Sequence, residues 1–97
     1  MKFNFDRNTQ NRDGSDIMES DKPVTFSTII LNALDAADTE ASGVEKMERH
    51  AIATKVFNGG DIELSTEEIS KIKSCVGKHP YPLIVGQIFS YIESANA

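Results

Sequence analysis

Cys75 and His79 are the residues whose types and spacing could support nucleophilic chemistry, because a nearby imidazole can stabilise a thiolate. Gly77 lies between them and Pro80 follows, so the sequence does not place the pair on one continuous helical face. A free cysteine on an apolar face is usually a small core residue. We therefore expect Cys75 to lie in the core, and we predict that the chain is not an enzyme and has no catalytic residue.

Metal binding is the second chemistry to consider, and residues 57–68 share the turn of a helix–loop–helix calcium site. With Gly60 at the sixth loop position, Ile62 falls at the eighth, as such a loop requires. The positions that should supply oxygen ligands hold residues without a carboxylate, namely Lys55, Phe57, Gly59 and Thr66. His50 and His79 have no third ligand close in sequence. We therefore predict no metal site and no cofactor.

Two sets of residues are candidates for a partner interface. The first is acidic and consists of Asp35, Asp38, Glu40, Glu45 and Glu48. Such a set is typical of a solvated surface that also supports a helix N-terminus, and the alternative is a surface that binds protein or mimics nucleic acid. The second set is aromatic and provides either interface anchors or partial core, and it consists of Phe3, Phe5, Tyr81 and Tyr91.

The elements that must position these residues begin with a short N-terminal strand. Phe3 and Phe5 alternate with polar residues, which predicts a strand with one apolar face. Asp13-Gly14 is typical of a hairpin turn, and Ile17-Met18 could supply the returning strand. The alternative is a flexible leader anchored by its two phenylalanine rings. We expect residues 1–23 to form this strand, hairpin or leader, and residues 24–97 to form a helical domain.

The first two helices are predicted from apolar periodicity and from their end signals. Thr25 can cap the first helix, which we expect to end near Ala37. Ser42 and Glu45 form a capping box that opens the second helix, and 58–60 (Asn-Gly-Gly) ends it. The apolar residues expected to form the buried face of the second helix are Val44, Met47, Ala51, Ile52, Val56 and Phe57.

The third and fourth helices complete the predicted fold. Ser65 and Glu68 form a second capping box, and Gly77 is expected to end that helix in the left-handed conformation. Pro82 suits the first position of the last helix, and Gly86 inside it suggests a point where another helix crosses closely. The sequence therefore predicts a mainly α fold, a compact four-helix domain with a short N-terminal β-strand or hairpin.

Composition and charge limit the classes of function. The 97 residues include 15 acids and 10 bases, a net charge of -5, and residues 35–68 hold nine of the acids and three of the bases. Nucleic-acid binders need a basic surface, so we expect no direct nucleic-acid binding. No segment approaches the roughly 20 apolar residues that span a bilayer, and the N-terminus lacks the apolar run of a signal peptide. We expect no membrane association and a cytoplasmic location.

Three blocks of the sequence resemble small proteins encoded by tailed bacteriophages and prophages. The blocks are residues 28–34 (Thr-Ile-Ile-Leu-Asn-Ala-Leu), residues 55–64, and residues 68–77 followed by 82–87. The similarity covers residues 24–95 and follows a variable N-terminal leader. Because the blocks consist of helix caps and core positions, the resemblance transfers no functional residue. It implies a bacterial cytoplasmic setting.

The sequence favours a protein that works by binding another macromolecule. Our first hypothesis is a non-enzymatic, phage-type accessory or regulatory protein that engages a host or phage protein through a helix face or the N-terminal aromatic strand. The second is a structural or assembly component of the virion, which would self-associate or copurify with particles. The third is an acidic DNA mimic that inhibits a host nucleic-acid-binding protein. Homo-oligomer formation is left open.

Overall fold

The computed structural model describes residues 1–95 and contains four α-helices and four short β-strands within that range. Helices dominate, as the sequence predicts, and residues 96–97 of the expected helical domain lie outside the described residues. In chain order the elements are β1 (Lys2–Asn4), β2 (Met18–Glu19), β3 (Lys22–Pro23), α1 (Phe26–Leu34), α2 (Gly43–Asn58), β4 (Asp61–Glu63), α3 (Thr66–Val76) and α4 (Pro82–Ala95).

The N-terminal strand forms where the alternating phenylalanines predict it, but its partner differs from the expected one. β1 pairs antiparallel with β4, and Phe3 lies opposite Ile62. Phe3 and Phe5 both lie in the core beside this pairing. Residues 13–14 do lie in a turn, but that turn closes a smaller loop through a bridge between Gln10 and Asp16.

The hairpin of the N-terminal region lies later than predicted. β2 pairs antiparallel with β3, and Met18 lies opposite Pro23. The two residues between the strands, Ser20 and Asp21, both have positive φ angles of 50° and 65°. Positive φ at both central positions is the geometry of a type I′ hairpin turn, whose twist matches that of the flanking strands.

The core lies between the helices and β1, and α1 packs against both α2 and α3. The largest fully buried apolar side chains come from every helix, from β1 and from the residue that follows β4: Phe3, Ile30, Ile52, Val56, Leu64, Ile72, Val76, Ile88 and Ile92. Cys75 is also buried, which confirms the expected core position of this residue. Among residues 1–95, no helix is both long enough and apolar enough to cross a lipid bilayer.

Local capping signals set the start of three helices. The Thr25 side chain accepts the amide hydrogen of Thr28, and the Ser42 side chain accepts that of Glu45. The capping box at α3 is complete, because the side chains of Ser65 and Glu68 each accept the backbone amide of the other. At α2 the box is only half formed.

Three other local expectations are wrong. α1 ends at Leu34 rather than near Ala37, since residues 35–37 are exposed and gain no burial from a further turn of helix. Gly77 is right-handed, with φ of -60°, because the chain continues in tight turns through Lys78 and His79. Gly86 does not mark a helix crossing, because a Cβ atom there would meet no atom within 4 Å.

Candidate functional site

The solvent-facing stripe of α2 carries three large apolar side chains. Val44 is 62% exposed, Met47 is 65% exposed and Phe57 is 76% exposed. Residues three or four positions apart lie on one face of a helix. At this spacing, exposed residues that carry no carboxylate, ammonium or guanidinium group lie between these three side chains. We call this stripe the α2 outer face, and it consists of Val44, Met47, His50, Ala51, Thr54 and Phe57.

The α2 outer face includes four residues that the sequence assigned to the core. Of the six apolar residues expected on the buried face, only Ile52 and Val56 are buried, and Ala53 joins them. The apolar residues of α2 are spread around most of its circumference, so periodicity alone does not fix which side packs inward. The sequence signal that could have revealed the outer face is the large number of apolar residues in α2, because one buried stripe cannot accommodate all of them.

A shallow depression extends the α2 outer face toward α1. Its volume is about 410 Å³, and its walls include Phe57, His50 and Thr54 from α2 and Leu31 from α1. Asp35 lies at the same depression, where α1 ends. The exposed ring of Phe57 therefore stands beside a concave surface, an arrangement that suits an apolar side chain from a partner.

Ion pairs link α2 to its neighbours. The Arg49 guanidinium lies 3.0 Å from an Asp38 carboxylate oxygen and 3.3 Å from a Glu45 oxygen. The Lys71 ammonium of α3 lies 2.6 Å from Glu45 and 2.7 Å from Glu48. This network links α2 to the preceding loop on one side and to α3 on the other, and it explains why Glu45 does not complete the capping box.

The same network determines the protonation behaviour of its carboxylates. The hydrogen bond from Arg49 lowers the pKa of Asp38, and the hydrogen bond from Lys71 lowers the pKa of Glu45. The carboxylates in turn raise the pKa of Arg49, mainly through Asp38, and that of Lys71, mainly through Glu45. The network therefore favours the charged form of each of these four groups in the folded state.

Three of the five acidic interface candidates thus have basic partners within the protein. Asp38, Glu45 and Glu48 belong to the network, and they neutralise cations of the same fold. The structure shows no salt bridge for Asp35 or Glu40 among residues 1–95. The acidic set therefore does not form one continuous surface of free carboxylates.

The aromatic candidates are divided between core and surface. Phe3 and Phe5 are 2% and 3% exposed and stack in parallel with ring centroids 5.7 Å apart, so the alternative of core packing is confirmed for both. Tyr91 is partly buried against them. Tyr81 is exposed and lies beside the imidazole of His79, and it is not part of the α2 outer face.

The residues with metal-binding or nucleophilic chemistry are dispersed. Within residues 1–95 no group of three or more histidine, cysteine, aspartate or glutamate side chains is placed to hold a metal ion. The Tyr81 amide donates to Nδ1 of His79 at 3.2 Å, while Cys75 lies in the core. The arrangement of residues that stands out is therefore the α2 outer face, whose chemistry is that of apolar contact.

Comparison with known proteins supplies no relative. No protein-family model matches the chain, and neither a curated protein nor a solved structure matches it. The candidate site is therefore defined by the exposure and spacing of the chain's own residues.

Proposed function

We propose that the protein acts by binding a protein partner through the α2 outer face, and that this binding rather than catalysis is its activity. The observation that carries the proposal is the exposure of Val44, Met47 and Phe57 on one helical stripe. Contiguous exposed apolar side chains mark interaction surfaces on many soluble proteins, because water contact with them is unfavourable.

The geometry favours this face over the other surfaces that the sequence suggests. The N-terminal aromatic strand has both phenylalanine rings in the core, so its apolar face is not available to a partner. The acidic set is largely paired with arginine and lysine of the same chain. The α2 outer face is instead exposed along its whole length, on a helix held by core contacts and ion pairs.

The biological setting that we propose is that of a bacteriophage-type accessory or regulatory protein in the bacterial cytoplasm. Its support is the resemblance carried by the three sequence blocks at residues 28–34, 55–64 and 68–77 with 82–87. The partner in this proposal is a protein of the host or of the phage.

Phe57 is the expected anchor of the interaction. It is the most exposed large apolar side chain of the face and stands beside the depression that reaches Leu31. Truncation of an aromatic anchor typically costs about 2 kcal/mol or more of binding free energy, which corresponds to a loss of affinity of roughly 30-fold. Met47 lies on the same stripe and supplies further contact area.

The test is an affinity pull-down of the tagged protein from bacterial lysate, with and without phage infection and nuclease treatment, read by mass spectrometry. The test variant combines Met47→Ala with Phe57→Ala. The control variant combines Met18→Ala with Tyr81→Ala, which removes comparably exposed side chains elsewhere, at 53% and 63% exposure. We expect a stoichiometric protein partner with the wild type and the control variant, and its loss with the test variant.

Two outcomes would contradict the proposal. Equal recovery of the same partner by the wild type and the test variant would show that the α2 outer face is not the interface. Recovery of phage structural proteins alone, or ordered self-association, would instead favour a role in virion assembly.

A further inference from the structure

A groove on the side of the molecule formed by the N-terminal segment and α4 has the chemistry of an anion-binding site. Its volume is about 780 Å³, and it lies between residues 7–16 and residues 82–90 of α4. Arg7 and Arg12 line it from the N-terminal segment, and Leu83 and Gly86 line it from α4. The groove is separate in sequence from the α2 outer face.

The wall of the groove is held in place by an amide pair. Oε1 of Gln87 accepts the backbone amide of Gln10 at 2.8 Å, and Nε2 of Gln87 donates to the carbonyl of Gln10 at 2.7 Å. Nε2 also donates to the carbonyl of Leu83 at 3.1 Å, which fixes the side chain against its own helix. The N-terminal segment is therefore attached to α4 along the groove before any ligand enters.

One of the two arginines is positioned by an aromatic ring. The guanidinium carbon of Arg7 lies 4.1 Å from the centroid of the Tyr91 ring, and Nε donates to the carbonyl of Asn4 at 3.2 Å. This contact restrains the flexible side chain while leaving the terminal NH₂ groups able to donate to a ligand.

The charge of the groove is opposite in sign to that of the whole chain. Among residues 1–95 neither Arg7 nor Arg12 takes part in a salt bridge. Asp16 also lines the groove, and its carboxylate accepts from Nδ2 of Asn8 at 3.1 Å. Two guanidinium groups and one carboxylate give the lining a positive balance in a protein of net charge -5.

Gly86 lines the groove without a side chain. Glycine destabilises a helix relative to alanine, so a glycine inside α4 needs a reason. Close packing is not that reason, because a Cβ atom would meet nothing within 4 Å among the described residues. A side chain at this position would add atoms to a helix surface that lines the groove.

We propose that this groove binds a small ligand that carries an oxyanion, a phosphate or a carboxylate, on an apolar body. The guanidinium groups of Arg7 and Arg12 would donate to the oxyanion, since their fork of N–H groups matches the oxygens of both anions. Pro82, Leu83 and Phe26 offer apolar contact to the body of the ligand. This site is independent of the partner-binding face on α2.

The test is a titration of the ¹⁵N-labelled full chain, followed by NMR, with phenyl phosphate, benzoate and neutral benzyl alcohol as probes. We expect saturable shifts of the Gly86 and Gln87 amides and of Arg7 Nε–H with at least one anion, and none with the alcohol. The anion that binds more tightly identifies the source of the oxyanion.

Matched variants separate the groove from general charge effects. Arg7→Gln combined with Arg12→Gln should weaken binding at least tenfold, whereas Lys22→Gln combined with Lys46→Gln, with the same change in charge, should leave it unchanged. Gly86→Ala should weaken binding while raising the melting temperature, so that lost affinity cannot be attributed to unfolding.

Three results would overturn the proposal. They are no saturable shift with either anion, equal binding of the neutral alcohol, and an equal loss of affinity in the arginine and lysine variants. Because the α2 outer face is intact in all these variants, none of the results bears on the partner-binding proposal.

Discussion

The hydroxyl of Tyr91 accepts a hydrogen bond from the backbone amide of Asn4 at 2.8 Å and so joins α4 to β1 across 87 positions of the chain. The same ring meets Phe3, Phe5 and Phe26 edge-on, with centroid distances between 5.9 and 6.2 Å. One aromatic side chain therefore connects the N-terminal strand, α1 and α4. Its phenolic oxygen also satisfies a strand amide that β4 does not reach.

Tyr91→Phe should lower the free energy of unfolding by about 1–2 kcal/mol, because the partly buried amide of Asn4 loses its acceptor while the ring contacts remain. Chemical denaturation followed by circular dichroism measures the change. Tyr81→Phe is the matched control, since Tyr81 is exposed, and its effect should stay within about 0.5 kcal/mol. Equal stability of the two variants would show that the hydroxyl of Tyr91 contributes nothing to the fold.

The two sides of α2 should respond in opposite ways to truncation. Ile52→Ala should cost about 2–5 kcal/mol of stability, because Ile52 is buried in the core and its removal leaves a cavity. Phe57→Ala should change stability by less than about 0.5 kcal/mol, because the ring is already in water. Urea titration of both variants checks the contrast. A large cost for Phe57→Ala would mean that the ring packs against the fold in solution.

The ion pairs around α2 should make stability sensitive to acid. Hydrogen bonding to Lys71 lowers the pKa of Glu45 below its ordinary value of 4.5, so the folded state favours the charged form. The unfolded chain therefore takes up protons first as the pH falls. The stabilisation is present above about pH 4.5 and is lost as the pH falls through the lowered pKa of Glu45.

Lys71→Gln tests this relationship. Its melting temperature should lie below that of the wild type at pH 7, and the difference should shrink as the pH falls below 4.5 and Glu45 becomes protonated. Lys22→Gln is the control, because Lys22 has no salt bridge among residues 1–95. A difference between Lys71→Gln and the wild type that is constant from pH 7 to pH 3 would contradict the proposed pairing.

Gly86→Ala should stabilise the protein by up to about 1 kcal/mol, since alanine favours the helix and its methyl group meets no neighbour. Thermal unfolding measures the gain. Gly77→Ala should gain less or nothing, because a Cβ atom there would lie 3.0 Å from the carbonyl oxygen of Lys73. Equal gains for the two variants would show that the close approach at Gly77 has no energetic effect.

Local signals in the sequence were sufficient to predict where the helices start. They were not sufficient to predict contacts between distant segments of the chain. Ser65 and Glu68 lie three positions apart, so their capping box is visible without knowledge of the rest of the fold. The partner of β1 depends instead on where the helices bring β4, and no pattern near Phe3 encodes that.

The candidate site was missed for a related physical reason. Apolar residues of α2 lie on most sides of the helix. Packing against α1, rather than periodicity, determines which side is buried. Arg49 forms ion pairs with Asp38 and Glu45, and a hydrophobic pattern does not reveal such pairs. Val44, Met47 and Phe57 consequently face water, although their residue types favour the core.

The pairing of β1 with β4 has a consequence for the order of events during synthesis. Asn4 and Asp61 lie 57 positions apart, so β1 must wait for the later strand to leave the ribosome, which takes roughly 3–12 s at ordinary translation rates. During that interval Phe3 and Phe5 have neither β4 nor Tyr91 to cover them. The segment that emerges early is thus placed late, and its two aromatic rings lack their final contacts until the rest of the chain has been synthesised.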